Sequence, residues 1–365
     1  MRVAVAGAGA NIFGAHRRGL TAVGAVVVAV QDADLGRARR VGAELDCAVC
    51  ADVSALLEVP SDVVVVLAPH PFHAPLAVAA LRAGRHVLVE KPIADEVAEA
   101  DRMVAEARRA GRLLAVAFQQ RARPEVVEAL RLVRAGFLGE LRRASVLATW
   151  PRRAAYFRTA PWRGTWRGEG GGILINQGQH DLDLLCLLAG RPSRVVGWAR
   201  ATLHAVETED TVDALAEWPG GATGSIRIST AEADEGQRIE LTGTAGRLRL
   251  LPGRLEAVRS EVDFREYLAS PGNPFGPPAV EHLPAFVVGA DGVGRGGHEA
   301  VYRNLAAALA GPEPLLARGD EATAALELAN AIVLSSRTGA EVPLPLDRAA
   351  YGELLRALRA GAASG

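Results

Sequence analysis

The sequence predicts an α/β fold in two parts: a doubly wound parallel sheet over residues 1–122 and a second α/β domain over residues 123–365. Three observations carry this. A chain of 365 residues, 49% of them hydrophobic, is long enough for two cores. Its first third alternates apolar runs with helical stretches, and a glycine-rich turn follows the first run directly. The runs are Val3–Ala6, Ala25–Val30, Asp62–Ala68, His86–Val89 and Leu113–Phe118. Unbroken β-branched and apolar runs fit strands buried on both faces, as in a parallel sheet. Between them, Leu35–Leu45, Pro71–Ala83 and Asp95–Ala110 have helix length, so the repeating unit is βαβ. Beyond residue 122 the runs change character. Arg194–Leu203, Thr211–Trp218, Ala222–Thr230, Gln237–Thr242 and Arg247–Leu251 alternate apolar with polar residues, and Trp218-Pro219-Gly220-Gly221 makes a turn between two of them.

The first strand runs into Gly7-Ala8-Gly9-Ala10-Asn11-Ile12-Phe13-Gly14. Gly7 permits a tight turn, and Gly9 lets the backbone approach a pyrophosphate. The amides of Asn11, Ile12 and Phe13 then open a helix whose N-terminus attracts the anion. The spacing departs from G-x-G-x-x-G, with Ile at position 12 and the third glycine at Gly14, as an extra turn residue would produce. The second strand ends in Gln31-Asp32, about where a Rossmann fold places its ribose-binding acid. A carboxylate there accepts from both adenosine ribose hydroxyls and repels a 2′-phosphate. NAD is therefore the expected cofactor, with Arg37 nearby among its contacts.

Bulk composition removes other classes. Lys plus Arg number 41 and Asp plus Glu 42, and a net charge of -1 gives no sign of affinity for nucleic acid or membrane. Three cysteines are too few for a disulfide framework. Cys47 and Cys50 form a C-x-x-C, but at a helix end running into a short strand, whereas a thioredoxin-like pair opens a helix; neither redox nor metal chemistry is expected of them. The strand-like Arg2–Ala6 starts at once and no transmembrane run occurs, so the expected location is the cytoplasm.

The most informative stretch is Val87-Leu88-Val89-Glu90-Lys91-Pro92. Proline holds Lys91 in extended geometry, and the carboxyl end of a parallel strand points it into the cofactor crevice. This resembles the E-K-P motif of the glucose-fructose oxidoreductase, inositol dehydrogenase and MocA (Gfo/Idh/MocA) oxidoreductase family. Ala68-Pro69-His70-Pro71-Phe72-His73 looks like that family's T-P-N-x-x-H turn, and Ala117-Phe118-Gln119-Gln120-Arg121 like its G-F-N-x-R. Gly170-Gly171-Gly172-Ile173-Leu174-Ile175-Asn176-Gln177-Gly178-Gln179-His180 looks like its G-G-G-x-L-x-D-x-x-x-H. Gly297-His298 and Leu326–Val342 are similar to its closing helix and strand, so the resemblance covers nearly all of the chain. It implies a Rossmann domain followed by an α/β domain with a large, mostly antiparallel open sheet. One uncovered face of such a sheet predicts a homodimer or homotetramer.

The resemblance also implies hydride transfer between NAD and a ring carbon of a sugar, cyclitol or glycoside. It places Ala68, Pro69, His70, His73, Glu90, Lys91 and Gln119 at the cofactor and Arg121 at the substrate. His180 is the candidate base, since imidazole titrates near neutral pH. Lys91 would polarise the substrate oxygen and share its proton. Asn176 stands four residues before His180, so the two are expected on one helix face. Family dehydrogenases often carry Asp there; Asn has no charge to raise the histidine pKa, but can bind a substrate hydroxyl or orient the imidazole. The stretch Arg142–Arg167 holds seven arginines and no acid, interleaved with Trp150, Tyr156, Trp162 and Trp166, and Trp162-Arg163 is the piece expected at the substrate. No metal is expected. Two other functions fit the same motifs: cleavage of a glycoside by transient oxidation and elimination, and non-catalytic NAD-binding regulation. A regulator needs neither Lys91 nor His180.

Overall fold

The computed structural model describes residues 1–233, 236–289 and 297–361. Its first sheet contains β1 (Arg2–Ala6), β2 (Val26–Gln31), β3 (Ala48–Cys50), β4 (Val63–Val66), β5 (His86–Val89) and β6 (Leu114–Val116). Their spatial order is β3-β2-β1-β4-β5-β6, and all pair in parallel. The order reverses between β1 and β4, which opens a crevice at their carboxyl ends. All four residues of β4 are buried, as layers on both faces require. The helix expected from Pro71 is interrupted: a 3₁₀ turn, His70–Phe72, precedes the α-helix His73–Arg82.

The second sheet has ten strands: β7 (Leu141–Thr149), β8 (Arg194–Arg200), β9 (Thr211–Glu217), β10 (Thr223–Ser229), β11 (Gln237–Gly243), β12 (Gly246–Leu251), β13 (Arg254–Ser260), β14 (Val280–His282), β15 (Phe286–Val287) and β16 (Val342–Pro343). The main path runs β14-β13-β12-β11-β7-β10-β9-β8-β16, with β15 beside β13. Among the described residues β7 and β10 pair in parallel and the other pairs are antiparallel. The turn after Trp218 forms as expected, with Gly220 and Gly221 both at positive φ. The stretch Arg142–Arg167 begins inside this sheet: its first residues belong to the central strand β7, with Arg142 and Arg143 exposed.

One face of this sheet is covered. The helix Gly319–Thr338 lies over β8 and against the helices Gln179–Ala189 and Val97–Ala110. Ser335 and Ser336 accept hydrogen bonds from the β8 amides of Gly197 and Ala199. On the opposite face, β8 and β9 expose Val196, Trp198 and Leu215 at 37%, 57% and 60%. The helix His298–Ala310 instead returns to the first sheet. Its Val301, Tyr302 and Leu305 join the core of Val3, Val5 and Val65, and Gly19 admits the Tyr302 ring where a Cβ would lie 2.4 Å away.

Cys50 ends β3, and the helix Val53–Glu58 begins only after Asp52 caps it. Burial pushes both the Cys47 and Cys50 thiols above their ordinary pKa, the opposite of an activated pair. Among the described residues no helix is long and apolar enough to cross a membrane.

Candidate active site

The glycine turn sits at the reversal of strand order, and two of its glycines are sterically required. Gly7 has φ 87°, and a Cβ there would lie 2.6 Å from the Ala68 amide nitrogen. The turn thus crosses directly over the end of β4. At Gly9 a Cβ would lie 2.8 Å from Arg37 Cδ and 2.9 Å from Asp32 Oδ2. The Gly9 amide donates to Asp32 Oδ2 at 2.8 Å, and the Asp34 amide to Asp32 Oδ1 at 2.9 Å. Asp32 and Arg37 are therefore brought to the turn, as expected; Arg37 also pairs with Asp34 at 3.2 Å. Gly14 is different, since a Cβ there meets nothing within 4 Å, and it has no claim to be the third glycine of the motif. The helix Phe13–Ala22 starts with Asn11 and Ile12 exposed, Phe13 buried, and no side-chain cap among the described residues. The Phe13 amide, expected at the anion, instead donates to the Ala10 carbonyl at 2.9 Å, and the Ala15 amide to the Ile12 carbonyl at 2.9 Å. A backbone cradle that a Cβ would fill, with a carboxylate beyond it, fits a dinucleotide.

At the end of β5, three expected cofactor contacts prove to be braces. Glu90 Oε1 lies 2.8 Å from His16 Nε2 and 3.0 Å from His298 Nε2, while Oε2 accepts from the Lys91 amide at 3.0 Å. Burial opposes the Glu90 charge, but the two histidine hydrogen bonds hold its pKa well below the usual carboxylate value. His73 reaches the carbonyls of Pro92 and Ala68, both at 2.7 Å, and so ties the E-K-P turn to the turn after β4. His70 Nδ1 donates to the Glu169 carbonyl at 2.9 Å, and joins that turn to the substrate side. These side chains are spent on protein groups, so they shape the crevice rather than line it. Gln119 keeps its place as a candidate contact, because its buried Oε1 has no partner among the described residues.

Arg121, expected at the substrate, is likewise committed elsewhere. It binds Asp183 through two hydrogen bonds of 2.6 and 2.8 Å, and Glu321 at 2.8 Å. That fork ties the turn after β6 to the helices Gln179–Ala189 and Gly319–Thr338.

Lys91, Asn176 and His180 do converge. Lys91 Nζ donates to the Asn176 carbonyl at 2.9 Å, with Asn176 Oδ1 at 3.4 Å. His180 is 7% exposed, meets the Phe118 ring edge-on at 5.8 Å, and leaves Nδ1 without a partner among the described residues. Burial, helped by the nearby Lys91 charge, pulls its pKa down to about 3. The imidazole is therefore uncharged at neutral pH. Burial also lowers the Lys91 pKa, and Glu90 and Glu169 oppose that shift.

The shared helix face of Asn176 and His180 is not formed. The helix begins at Gln179, and Asn176 lies in the turns before it. Glu209, which sequence reasoning missed, shapes those turns by accepting from the amides of Gly172 and Leu174 at 2.9 and 3.1 Å. Gly172 is needed there, since a Cβ would fall 1.9 Å from the Glu209 carbonyl. Freed from the helix, the Asn176 amide turns to Glu169 and to the Tyr156 hydroxyl, the latter at 3.1 Å. Glu169 and Gln177 were also missed, and Tyr156 had been named only among the interleaved aromatics. Their signal was position: Glu169 is the first acid after the arginine-rich stretch.

The aromatic and arginine residues divide into two groups. Arg163 lies between the rings of Tyr156 and Trp162, 4.4 and 4.6 Å from their centroids, and donates to Tyr156. Trp162 meets His70 edge-on at 6.1 Å, and Arg163 comes within 4.0 Å of Glu169, which sets Arg163 near the Asn176–Glu169 pair. Trp150 and Trp166 instead donate to Asp181 and the Glu207 carbonyl and are framework.

Residues 1–118 match the model described as oxidoreductase family, NAD-binding Rossmann fold, and residues 126–249 match the GFO/IDH/MocA C-terminal domain. The chain is 34% identical over 230 residues to trans-1,2-dihydrobenzene-1,2-diol dehydrogenase of Bos taurus, covering 62% of this chain and 66% of that one. It is 33% identical over 272 residues to inositol 2-dehydrogenase 2 of Saccharopolyspora erythraea, covering 72% and 76%. A third relative, 1-carboxy-3-chloro-3,4-dihydroxycyclohexa-1,5-diene dehydrogenase of Comamonas testosteroni, is 34% identical over 56% of this chain and 51% of its own. The chain thus spans about half to two thirds of the length of the first relatives it matches. Among solved structures, the WlbA dehydrogenase of Bordetella pertussis, in complex with NADH and UDP-GlcNAcA, superposes with a TM-score of 0.78 at 26% identity, over 95% of this chain and 99% of that one. Two family models in sequence order, and a relative matched over three quarters of its length, lead to one assignment: the chain belongs to the Gfo/Idh/MocA oxidoreductase family.

Proposed function

We propose that the chain is an NAD-dependent dehydrogenase acting on a ring hydroxyl of a sugar, cyclitol or glycoside. The observation that carries this reading is the hydrogen bond from Lys91 Nζ to the Asn176 carbonyl, with a buried, neutral His180 near enough to feel the Lys91 charge. Relatives that oxidise inositol and dihydrodiols support the substrate class. In this reading residues 1–122 hold the cofactor and residues 123–365 the substrate. Bound NAD supplies the acceptor for the hydrogen leaving carbon as hydride. The Lys91 ammonium donates to the substrate oxygen and draws charge onto it. Neutral His180 takes the hydroxyl proton, and Trp162 and Arg163 hold the ring. A screen of monosaccharides and inositols with NAD tests the reading: net formation of NADH with one of them is expected. Products released without net NADH would favour oxidation followed by elimination, and NAD binding without turnover of any polyol would favour a regulator. Reduced thiols fit the three free cysteines, which is consistent with a cytoplasmic setting.

Cofactor preference should follow Asp32. NAD is expected to give the higher kcat/KM, and Asp32→Ser should narrow the gap by about tenfold or more. Each hydrogen bond to a charged group contributes about 1.5–3 kcal/mol, and the substitution also removes the repulsion of a 2′-phosphate, leaving Arg37 to attract it. Equal kcat/KM with NADP in the parent would overturn the assignment.

A homodimer or homotetramer is expected through the open face of β8 and β9. Trp198 and Leu215 stand proud of it, 57% and 60% exposed, and paired burial would remove that apolar area from water. Light scattering should give a multiple of the 38.2 kDa chain, and Trp198→Glu should shift it toward monomer. A parental monomer at micromolar concentration would count against this interface.

A further inference from the structure

Of the 41 Lys and Arg residues in the chain, Lys91 is the one lysine. Arginine supplies positive charge everywhere else, and arginine does not release its proton in proteins. The exception stands where a proton must move. Its surroundings are mostly cationic or neutral: Arg152 and Arg163 from the substrate loop, His70 from the turn after β4, and His180 from the helix opposite. Glu90, on its own strand end, is held between His16 and His298. The other carboxylate near it is Glu169, 2% exposed.

We propose that Glu169 is the positioning carboxylate of this site, acting on the Lys91 ammonium through the side-chain amide of Asn176. The geometry is a relay of opposite ends. Lys91 Nζ faces Asn176 Oδ1 at 3.4 Å and donates to its carbonyl at 2.9 Å, while Asn176 Nδ2 donates to Glu169 Oε1. An amide lying between an ammonium at its oxygen and a carboxylate at its nitrogen is polarised by both, which strengthens each contact. The second Glu169 oxygen accepts from the Gly164 amide at 2.7 Å, and Arg163 approaches the first to 4.0 Å. These donors favour the carboxylate form, although burial raises the Glu169 pKa. The charge that Asn176 lacks is thus present seven residues earlier in the chain. Its effect is to oppose, together with Glu90, the loss of the Lys91 proton that burial and the two arginines favour.

This rests on the reading of Lys91 above, and the test separates the two. With isotope-labelled lysine, the protein gives a single side-chain NMR signal, so the Lys91 titration can be followed without turnover. Glu169→Gln keeps an oxygen acceptor for Gly164, but it removes the charge and also sets an amino group against Asn176 Nδ2. Its Lys91 midpoint should fall by about one pH unit, the low end of what a neighbouring opposite charge contributes, and the alkaline limb of kcat/KM should move with it. The exchange variant Glu169→Gln with Asn176→Asp restores one carboxylate and one amide to the pair, and should return both values toward the parent. An unmoved midpoint in Glu169→Gln, or an exchange variant that folds but does not recover it, overturns the proposal. Should Glu169→Gln not fold, the exchange variant alone decides on the same criterion. A midpoint that moves while the kinetic limb stays fixed leaves Glu169 in its role and instead sinks the assignment of Lys91 to turnover.

Discussion

Lys91→Ala should lower kcat/KM by roughly 100- to 10,000-fold, the usual range for losing a group that handles a proton in the transition state. The NAD dissociation constant should stay within a few-fold, because Gly7, Gly9 and Asp32 form a separate cradle. Lys91→Arg is the sharper variant. It keeps a positive charge but offers a planar, permanently protonated group to a pocket built around an ammonium 2.9 Å from the Asn176 carbonyl. Its loss should approach that of Lys91→Ala. The parent's pH profile carries the same information. Burial depresses the Lys91 pKa, so the ammonium that polarises the substrate oxygen disappears as pH rises through a value below the ordinary lysine pKa of about 10.4. Alcohol oxidation should therefore fall on an alkaline limb below that value, and Lys91→Arg should abolish the limb along with most of the rate. If Lys91→Arg retained a tenth or more of parental kcat/KM, charge alone would suffice, and no proton would need to pass through position 91.

Much of this site was legible because local chemistry determined it. The valine run of β4 demanded cover on both faces, and the turn after β1 demanded glycine at positions 7 and 9. Asp32 at the end of β2 was expected near that turn as a ribose acceptor, and its Oδ2 accepts from the Gly9 amide there. Long-range partners were another matter. Glu90 meets His16 and His298 from 74 and 208 residues away, and nothing in Glu90-Lys91-Pro92 foretells that the carboxylate is already taken. Arg121 sits in a motif that suggested substrate contact, yet Asp183 and Glu321 claim its fork from distant helices. The four-residue spacing of Asn176 and His180 suggested a shared face. That holds only inside a helix, and this helix starts at Gln179 because Glu209 and the glycines hold the chain in tight turns before it. The central strand β7 was obscured at its start, where the adjacent Arg142 and Arg143 are both exposed and the buried alternation begins only at Ala144. One signal was readable from composition alone: a chain that uses arginine for nearly every cation keeps lysine at position 91.

His180→Ala should cost catalysis on the same scale, roughly 100- to 10,000-fold, while leaving NAD affinity within a few-fold. The imidazole offers Nδ1 to no protein group among the described residues and packs on the edge of Phe118. Its loss therefore breaks no protein hydrogen bond at that nitrogen, and a folded, NAD-binding variant is expected. Acid unfolding gives an independent check on its buried, neutral state. The folded pKa of about 3 lies below the unfolded value near 6.5, so between those limits the unfolded chain binds the proton and the folded protein does not. Stability from this group is intact above the unfolded pKa and declines as pH falls toward the folded one. Removing the imidazole removes that decline, so His180→Ala should lose stability less steeply than the parent between about pH 6 and pH 3, as urea midpoints across that range would record. A parental turnover rate in His180→Ala would move the base role to Lys91 alone. Loss of NAD binding, with an acid profile unchanged from the parent, would make His180 a structural residue and put the proton acceptor elsewhere in the crevice.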